Sequence, residues 1–434
     1  MKASKYNFFF PYEADDSKLI AYNAFSNALA LMEKDKHDMF QQFVDGSITI
    51  DDREFVEQLK KGCFLVDDDV NELDRLRLRM FRSRFNTNSL ALTIVPTADC
   101  QFRCPYCYEK DVIKPLYMTA EIEEAIVKLA QKHMGTIASL SVTWYGGEPL
   151  MNMETIKRLS GKLIKLCEEN DVTYNADMVT NGYLLTKENA LLLSELKVVT
   201  MQITLDGSEE IHNQRRPLAD GSGTFSRIID NLVENKDVIP PVSLRINVDK
   251  NNMDSGKEVV RILEEKDLLS NVKPYIASVL PDNDAYDKSS CFDVCGFSAE
   301  ELMFFKEFYN DELYMNRYPR TIRNYCGADS ITSYVINADG GLYKCWRDLG
   351  NSLKCTGSLV GDDNIGEHLF LDYMLFDPMS DSECSQCDVL PLCMGGCPCK
   401  RVTNTEKCSV HKFVLDGFLS VIAEKLKLKK QLSV

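Results

Sequence analysis

No stretch of these 434 residues approaches the roughly 18 consecutive apolar residues that span a bilayer. The opening residues, MKASKYNFFFPYEADD, lack the apolar run and small-residue cleavage site of a secretory signal, so a cytoplasmic protein with no membrane partner is expected. A basic excess is also missing. Fifty Lys and Arg face 66 Asp and Glu, a formal net charge of −16, which argues against a broad nucleic-acid surface. There is no internal repeat at a fixed period and no low-complexity linker, so domain boundaries must come from changes of pattern. Cysteine is scarce over residues 1–86, where Cys63 stands alone, and redox chemistry is not expected there.

Elsewhere cysteine is abundant. A reducing compartment keeps thiols free, so 16 cysteines in such a chain point to metal rather than to disulfides. Three lie within Cys100–Cys107 and nine from Cys326 to Cys408, which implies two metal regions. Cys63 and Cys167 read as buried apolar fillers.

Residues 1–86 open with strand-like runs at 6–10 and 19–23, followed by helical stretches around 33–45 and 52–61, a small α+β unit. From Leu90 the rhythm changes to short apolar runs, each followed by a helix long enough for a crossover. Strands are expected near 90–95, 140–145, 174–179, 198–205, 242–249 and 272–278, six βα units that suggest a partial (β/α)6 barrel. Ligands gather at the carboxyl ends of such strands, so Cys100, Gly146, Asn181, Asp206 and Asn247 would face one mouth. A helix is expected around 298–314. Residues 320–415 are cysteine-rich and lack long periodic elements, so metal is expected to organise them in place of apolar burial.

The segment Asp99-Cys100-Gln101-Phe102-Arg103-Cys104-Pro105-Tyr106-Cys107 spaces its thiols C-x3-C-x2-C directly after an apolar strand. Three thiolates on a [4Fe-4S] cube leave one iron open to an exogenous chelator. Ferredoxin loops use C-x2-C-x2-C and zinc sites pair C-x2-C units, so neither fits well. The motif resembles the radical S-adenosylmethionine superfamily, including the aromatic Tyr106 before the third cysteine. That resemblance implies that the open iron chelates S-adenosylmethionine, whose reductive cleavage releases a 5′-deoxyadenosyl radical able to abstract hydrogen from an unactivated carbon.

Further family-like features follow. Tyr145-Gly146-Gly147-Glu148-Pro149 resembles the turn that contacts the methionine amino group, with Glu148 as the charged contact. Val179-Thr180-Asn181-Gly182 and Thr204-Leu205-Asp206-Gly207 resemble the strand ends that contact ribose and carboxylate, and Asn247 completes the set. An arginine of His212-Asn213-Gln214-Arg215-Arg216-Pro217 would serve cofactor or substrate carboxylates, whereas a structural role is the stronger reading for His212.

The later cysteines read Cys326, Gly340, Cys345, then Cys384-x2-Cys387-x5-Cys393-x3-Cys397, and Cys408. This order resembles the SPASM extension, which implies two auxiliary [4Fe-4S] clusters and three clusters in all. The nearer one maps to Cys326, Cys345 and Cys397, the distal one to Cys384, Cys387, Cys393 and Cys408. The nearer cluster's fourth ligand stays open between Cys355 and a free iron, with Cys291, Cys295 and Cys399 close by in sequence. Zinc at 384–408 is the chemical alternative.

The resemblance implies three domains: 1–86, a winged-helix-like recognition element that binds a leader peptide by strand addition; 87–300, the radical barrel; and 301–434, the SPASM domain. A plain stabilising cap is the alternative for the first. The whole most resembles thioether-forming maturases of ribosomally made peptides, of the sactipeptide and ranthipeptide kind. The implied partners are a leader-bearing precursor peptide and a reductant such as flavodoxin or ferredoxin. Carbon–carbon or carbon–nitrogen crosslinking, formylglycine formation in sulfatases and a non-catalytic iron–sulfur electron carrier are the alternatives, and no general base stands out.

Overall fold

The structure is a computed structural model that describes all residues except 281–285, 310–313, 362–365, 406 and 433–434. The chain forms two compact units: residues 1–84, 293–326 and 376–434 make the first, and 85–292 with 327–375 the second.

After a short strand at Lys2–Ala3 that pairs with Leu65–Val66, the first unit has an antiparallel sheet in the order β1 (Asn7–Pro11), β2 (Lys18–Asn23), β3 (Ala28–Glu33), with α1 (Lys34–Val44), α2 (Arg53–Lys61) and α3 (Glu72–Arg84). Asp52 caps α2 by accepting from the Phe55 amide at 3.0 Å, and Phe55 and Leu59 carry the buried face of that helix. The two early strand-like runs are β1 and β2, whereas β3 carries no strand signal in its sequence. Its residues, ALALME, are mostly good helix formers, and pairing with β2 overrides that preference.

In the second unit, parallel strands β4 (Ser89–Ile94), β5 (Ser139–Trp144), β6 (Thr173–Thr180), β7 (Val198–Leu205), β8 (Val242–Val248) and β9 (Val272–Ser278) lie side by side in sequence order. Each of the six expected strands is present within about a residue of its place. The crossovers carry α4 (Ala120–His133), α5 (Met153–Glu168), α6 (Lys187–Glu195), α7 (Glu209–Arg215) with α8 (Phe225–Asn235), and α9 (Met253–Glu265). Strict alternation buries Leu90, Leu92 and Ile94 on β4 and Leu140, Val142 and Trp144 on β5, one residue in two. On the free side of β4 the sheet continues with β10 (Ser333–Ile336, parallel), β11 (Gly341–Tyr343) and β12 (Gly357–Ser358), for nine strands in all among the described residues. Gly340, at φ +86°, turns the β10–β11 hairpin in a conformation that side-chain-bearing residues rarely adopt.

The remainder of the first unit comprises α10 (Val294–Phe308), the cysteine-rich turns and the helix His411–Leu432. The expected helix at 298–314 is α10, shifted toward the amino terminus, and positions 310–313 lie outside the described residues. Packing joins the two ends of the chain: Tyr6, Ile20 and Tyr22 share one core with Leu76 and Met80 of α3, Val389, Leu390 and Leu392, and Leu415 and Leu419.

Candidate active site

The cysteine loop leaves the carboxyl end of β4 and is held by two neighbours. Thr97 forms a β-bridge with Tyr117. The Arg103 amide donates to Pro217 O, and the Ala219 amide to Gln101 O, each at 2.9 Å. Phe102 is buried and anchors the middle of the loop. Burial pushes all three thiols up: Cys100 strongly, with Glu148 next and then Cys104 and Cys107 adding repulsion, Cys104 likewise, and Cys107 to about 12. Three thiols shielded from water in one loop are costly to ionise together unless a cation compensates them, which is the chemistry of an iron-binding donor set.

The glycines after β5 serve that loop. A Cβ on Gly147 would stand 2.2 Å from Asp99 O, and one on Gly146 would meet Val95 Cγ1 at 2.6 Å. Backbone therefore packs directly on backbone, and the Glu148 amide donates to Asp99 O at 2.9 Å. The Glu148 carboxylate is fully buried and accepts from Thr180 Oγ1 at 2.6 Å, the Asn181 amide at 2.8 Å and the Leu150 amide at 3.0 Å. Burial raises its pKa against the pull of those bonds. Three of about four acceptor directions are thus used within the chain. Glu148 braces the ends of β5 and β6 whatever else it contacts.

A second network crosses the ends of β7 and β8. Asp206 Oδ2 accepts from Arg215 Nε at 3.1 Å, and Arg215 Nη1 also donates to Asp249 Oδ2 at 2.9 Å and the Tyr286 hydroxyl at 2.8 Å. Arg216 Nη1 and Asn247 Nδ2 both donate to the Tyr106 hydroxyl, at 2.9 and 3.2 Å. Two arginines thus balance two buried aspartates around the aromatic residue of the cysteine loop. Thr204 is buried on β7 in register with Arg245. His212 Nδ1 accepts from the Asp206 amide, so Nε2 carries the proton toward Thr224 Oγ1 at 3.0 Å. Burial, then Arg216 and Arg215, hold this imidazole neutral, and both ring nitrogens have structural partners.

Several buried polar atoms at this mouth lack a hydrogen-bond partner: Asn181 Nδ2, Arg215 Nη2, Arg216 Nε and Asp206 Oδ1, the last with only the 3.9 Å ion pair to Arg216. Such groups are costly unless something polar completes them. Donors and an acceptor grouped beside three thiols fit a small zwitterionic cofactor such as S-adenosylmethionine. The strand-end rule finds Asn181, Asp206 and Asn247, and it could have found Asp249, two positions beyond Asn247. Tyr286 carries no sequence signal.

The later cysteines divide between the units. In the first, Cys384, Cys387, Cys393 and Cys408 line one small cavity with Lys407 and Lys412. Burial pushes Cys384 up to about 12 and Cys393 to about 11. Lys412 Nζ donates to Cys408 Sγ at 3.7 Å. Cys326 and Cys397 both face the Tyr325 phenol, whose pKa rises to about 12 through burial and then through those two thiols. In the second unit Cys345 opens the turn Trp346–Asp348, and the Cys355 thiol donates to Gly357 O at 2.9 Å while packing with Val95, Tyr343 and Leu349. Cys291 is close to Asp249 and Arg215, Cys295 is exposed and Cys399 is buried. Cys167 is the expected buried filler, but Cys63 is not. It is half-buried at φ +58° in the turn that ends α2, where the backbone reversal rather than burial sets its environment.

Residues 94–263 match the sequence profile of the radical SAM superfamily. A cysteine-type anaerobic sulfatase-maturating enzyme of Clostridium perfringens (strain 13 / Type A) is 26% identical over 345 residues, which cover 71% of this chain and 88% of that enzyme. The structure of native anSMEcpe with bound AdoMet superposes with a TM-score of 0.60 at 20% identity, over 78% of this chain and 99% of that one. SuiB of Streptococcus suis gives a TM-score of 0.53 at 16% identity, over 94% and 99%. These structural likenesses are likenesses of fold. The chain therefore carries a radical SAM domain at residues 94–263, and it is an enzyme.

Proposed function

We propose that this enzyme is a peptide maturase that joins a cysteine sulfur to a carbon of the same ribosomally made precursor, forming a thioether with net loss of two hydrogens. Cys100, Cys104 and Cys107 would hold the radical cluster, and Asn181, Asp206, Arg215 and Arg216 the polar groups of S-adenosylmethionine, with Tyr106 and Asn247 beside them. Glu148, Thr180 and Thr204 would stiffen the strand ends, and Gly146 and Gly147 allow the close backbone approach. When bound, that cluster and cofactor supply a hydrogen-abstracting 5′-deoxyadenosyl radical.

The observation that carries the thioether reading is the contrast between the two later cysteine sets. Four thiols share one cavity at Cys384, Cys387, Cys393 and Cys408, a complete set for a distal cluster. For the set Cys326, Cys345 and Cys397 that the resemblance implies, the expected fourth ligand Cys355 has its thiol turned to the Gly357 carbonyl. An iron left open there would take a substrate thiolate and hold sulfur near the radical carbon. Strand addition of a leader peptide to the sheet of β1–β3 would deliver the precursor, and SuiB has been solved bound to the precursor peptide SuiA. A flavodoxin or ferredoxin would supply electrons.

A formylglycine-forming activity is the second reading, favoured by the extent of the likeness to the Clostridium perfringens enzyme. The test is co-expression with a leader-bearing precursor. A thioether product is lighter by two hydrogens per crosslink, resists alkylation and does not react with hydrazides. A hydrazide-reactive product would instead support the aldehyde, and unmodified peptide would sink the thioether reading. The radical assignment is tested separately: the anaerobically reconstituted, reduced protein should form 5′-deoxyadenosine. Replacing Cys100, Cys104 and Cys107 by Ala should abolish this while leaving iron–sulfur absorbance near roughly 400 nm.

A further inference from the structure

Both cysteine loops of the second unit run directly into an aromatic residue, and the two residues are joined. Tyr108 directly follows Cys107, and its hydroxyl shares a hydrogen bond with the hydroxyl of Tyr145. The Tyr145 ring stacks face to face on Trp346, with centroids 4.9 Å apart and planes 9° from parallel, and Trp346 directly follows Cys345. A second contact runs alongside. Val95, at the root of the first cysteine loop, packs with Tyr343 and Leu349, which flank Cys345, and with Tyr145 and Cys355. Tyr145 also precedes Gly146-Gly147-Glu148, the turn laid on Asp99. The order of the first cysteine loop therefore depends on rings anchored in the second.

We infer that the Tyr108–Tyr145–Trp346 run couples the Cys345 loop to the cofactor pocket, making Trp346 a positioning residue for S-adenosylmethionine binding. The inference rests on Cys100, Cys104 and Cys107 being the ligands of the radical cluster. An indole at position 346 covers one face of Tyr145. Without it the phenol is free to swing, Tyr108 loses its fixed partner, and the cysteine loop and the glycine turn slacken together. Stacked rings contribute enough to change an equilibrium by roughly five-fold, which is the size of effect to look for.

The experiment titrates S-adenosylmethionine into the reduced, fully reconstituted enzyme and follows the change it induces in the cluster EPR signal. Only a cluster with an open iron that binds the cofactor responds in this way, so the readout is independent of turnover. Trp346→Ala is expected to need roughly five-fold more cofactor for the half-maximal change, and Trp346→Phe, which keeps a stacking ring, to stay within about two-fold of wild type. Identical titrations for Trp346→Ala and wild type would overturn the coupling, as would a Phe variant as impaired as the Ala variant. Should Trp346→Ala fail to fold, Tyr145→Phe decides. It keeps the stack but removes the hydroxyl shared with Tyr108, and an unchanged titration would overturn the inference. No cofactor-induced change in wild type would instead remove the radical-cluster assignment itself.

Discussion

Glu148 illustrates how a side chain with an expected cofactor role can be committed to structure first. Its carboxylate serves three donors in a fully buried site, and an amide cannot accept from all of them. Glu148→Gln should therefore lower apoprotein stability by about 2 kcal/mol, the cost of leaving buried donors poorly matched, read as a lower urea midpoint. An unchanged midpoint would rule out the bracing role. His212 gives a pH signature. Its folded imidazole titrates well below the ordinary value because of burial and two arginines, while the unfolded one binds a proton near about 6.5. Below that pH the unfolded chain takes up the extra proton, so stability falls as acid is added. His212→Gln should flatten the dependence of the urea midpoint between pH 7 and 5, and an equally steep slope in the variant would assign it to other groups. At this scale the cysteines and strand-end residues were legible because chemistry restricts their types and spacing. The Arg215–Asp249–Tyr286 network was not, because its members come from three separate segments that only folding brings together.

Elements were legible in proportion to their length and regularity. The six parallel strands announce themselves by alternation over six to eight residues, as in β6, where every second residue is buried. Strands β10–β12 run for four residues or fewer, too short for a period to emerge, and β3 is written in helix-forming residues. The turn after β5 depends on contact between elements that no single-segment pattern records. Gly147→Ala places a methyl group on the Asp99 carbonyl and should cost about 1–3 kcal/mol, together with loss of 5′-deoxyadenosine formation. A variant with wild-type stability would mean that the loop yields more easily than this packing implies. For β3, one of the two outer strands of its sheet, strand addition of a leader peptide predicts slower hydrogen exchange across Ala28–Glu33 once the precursor is bound. Unaltered exchange there, with protection elsewhere, would move the leader to another surface.

At the scale of the whole molecule, stretches at the two ends of the chain depend on each other for burial. Tyr6, Ile20 and Tyr22 cover Val389, Leu390 and Leu392, with Cys384 and Cys387 packed at the margin of the same core. Deleting residues 1–84 should strip that cover and halve, or worse, the iron retained by a variant in which Cys100, Cys104 and Cys107 are Ala. Full retention would mean that the cavity cysteines hold their metal without it. This dependence was hidden in the sequence, where a change of rhythm near residue 87 and another near 300 mark boundaries but say nothing of which pieces reunite. It also imposes an order on biosynthesis. The sheet of β1–β3 leaves the ribosome early, yet Leu415 and Leu419 emerge only some tens of seconds later at about 5–20 residues per second. Through that interval the apolar faces of Ile20 and Tyr22 await partners not yet made, so a nascent chain of this protein is expected to need a chaperone early and iron last.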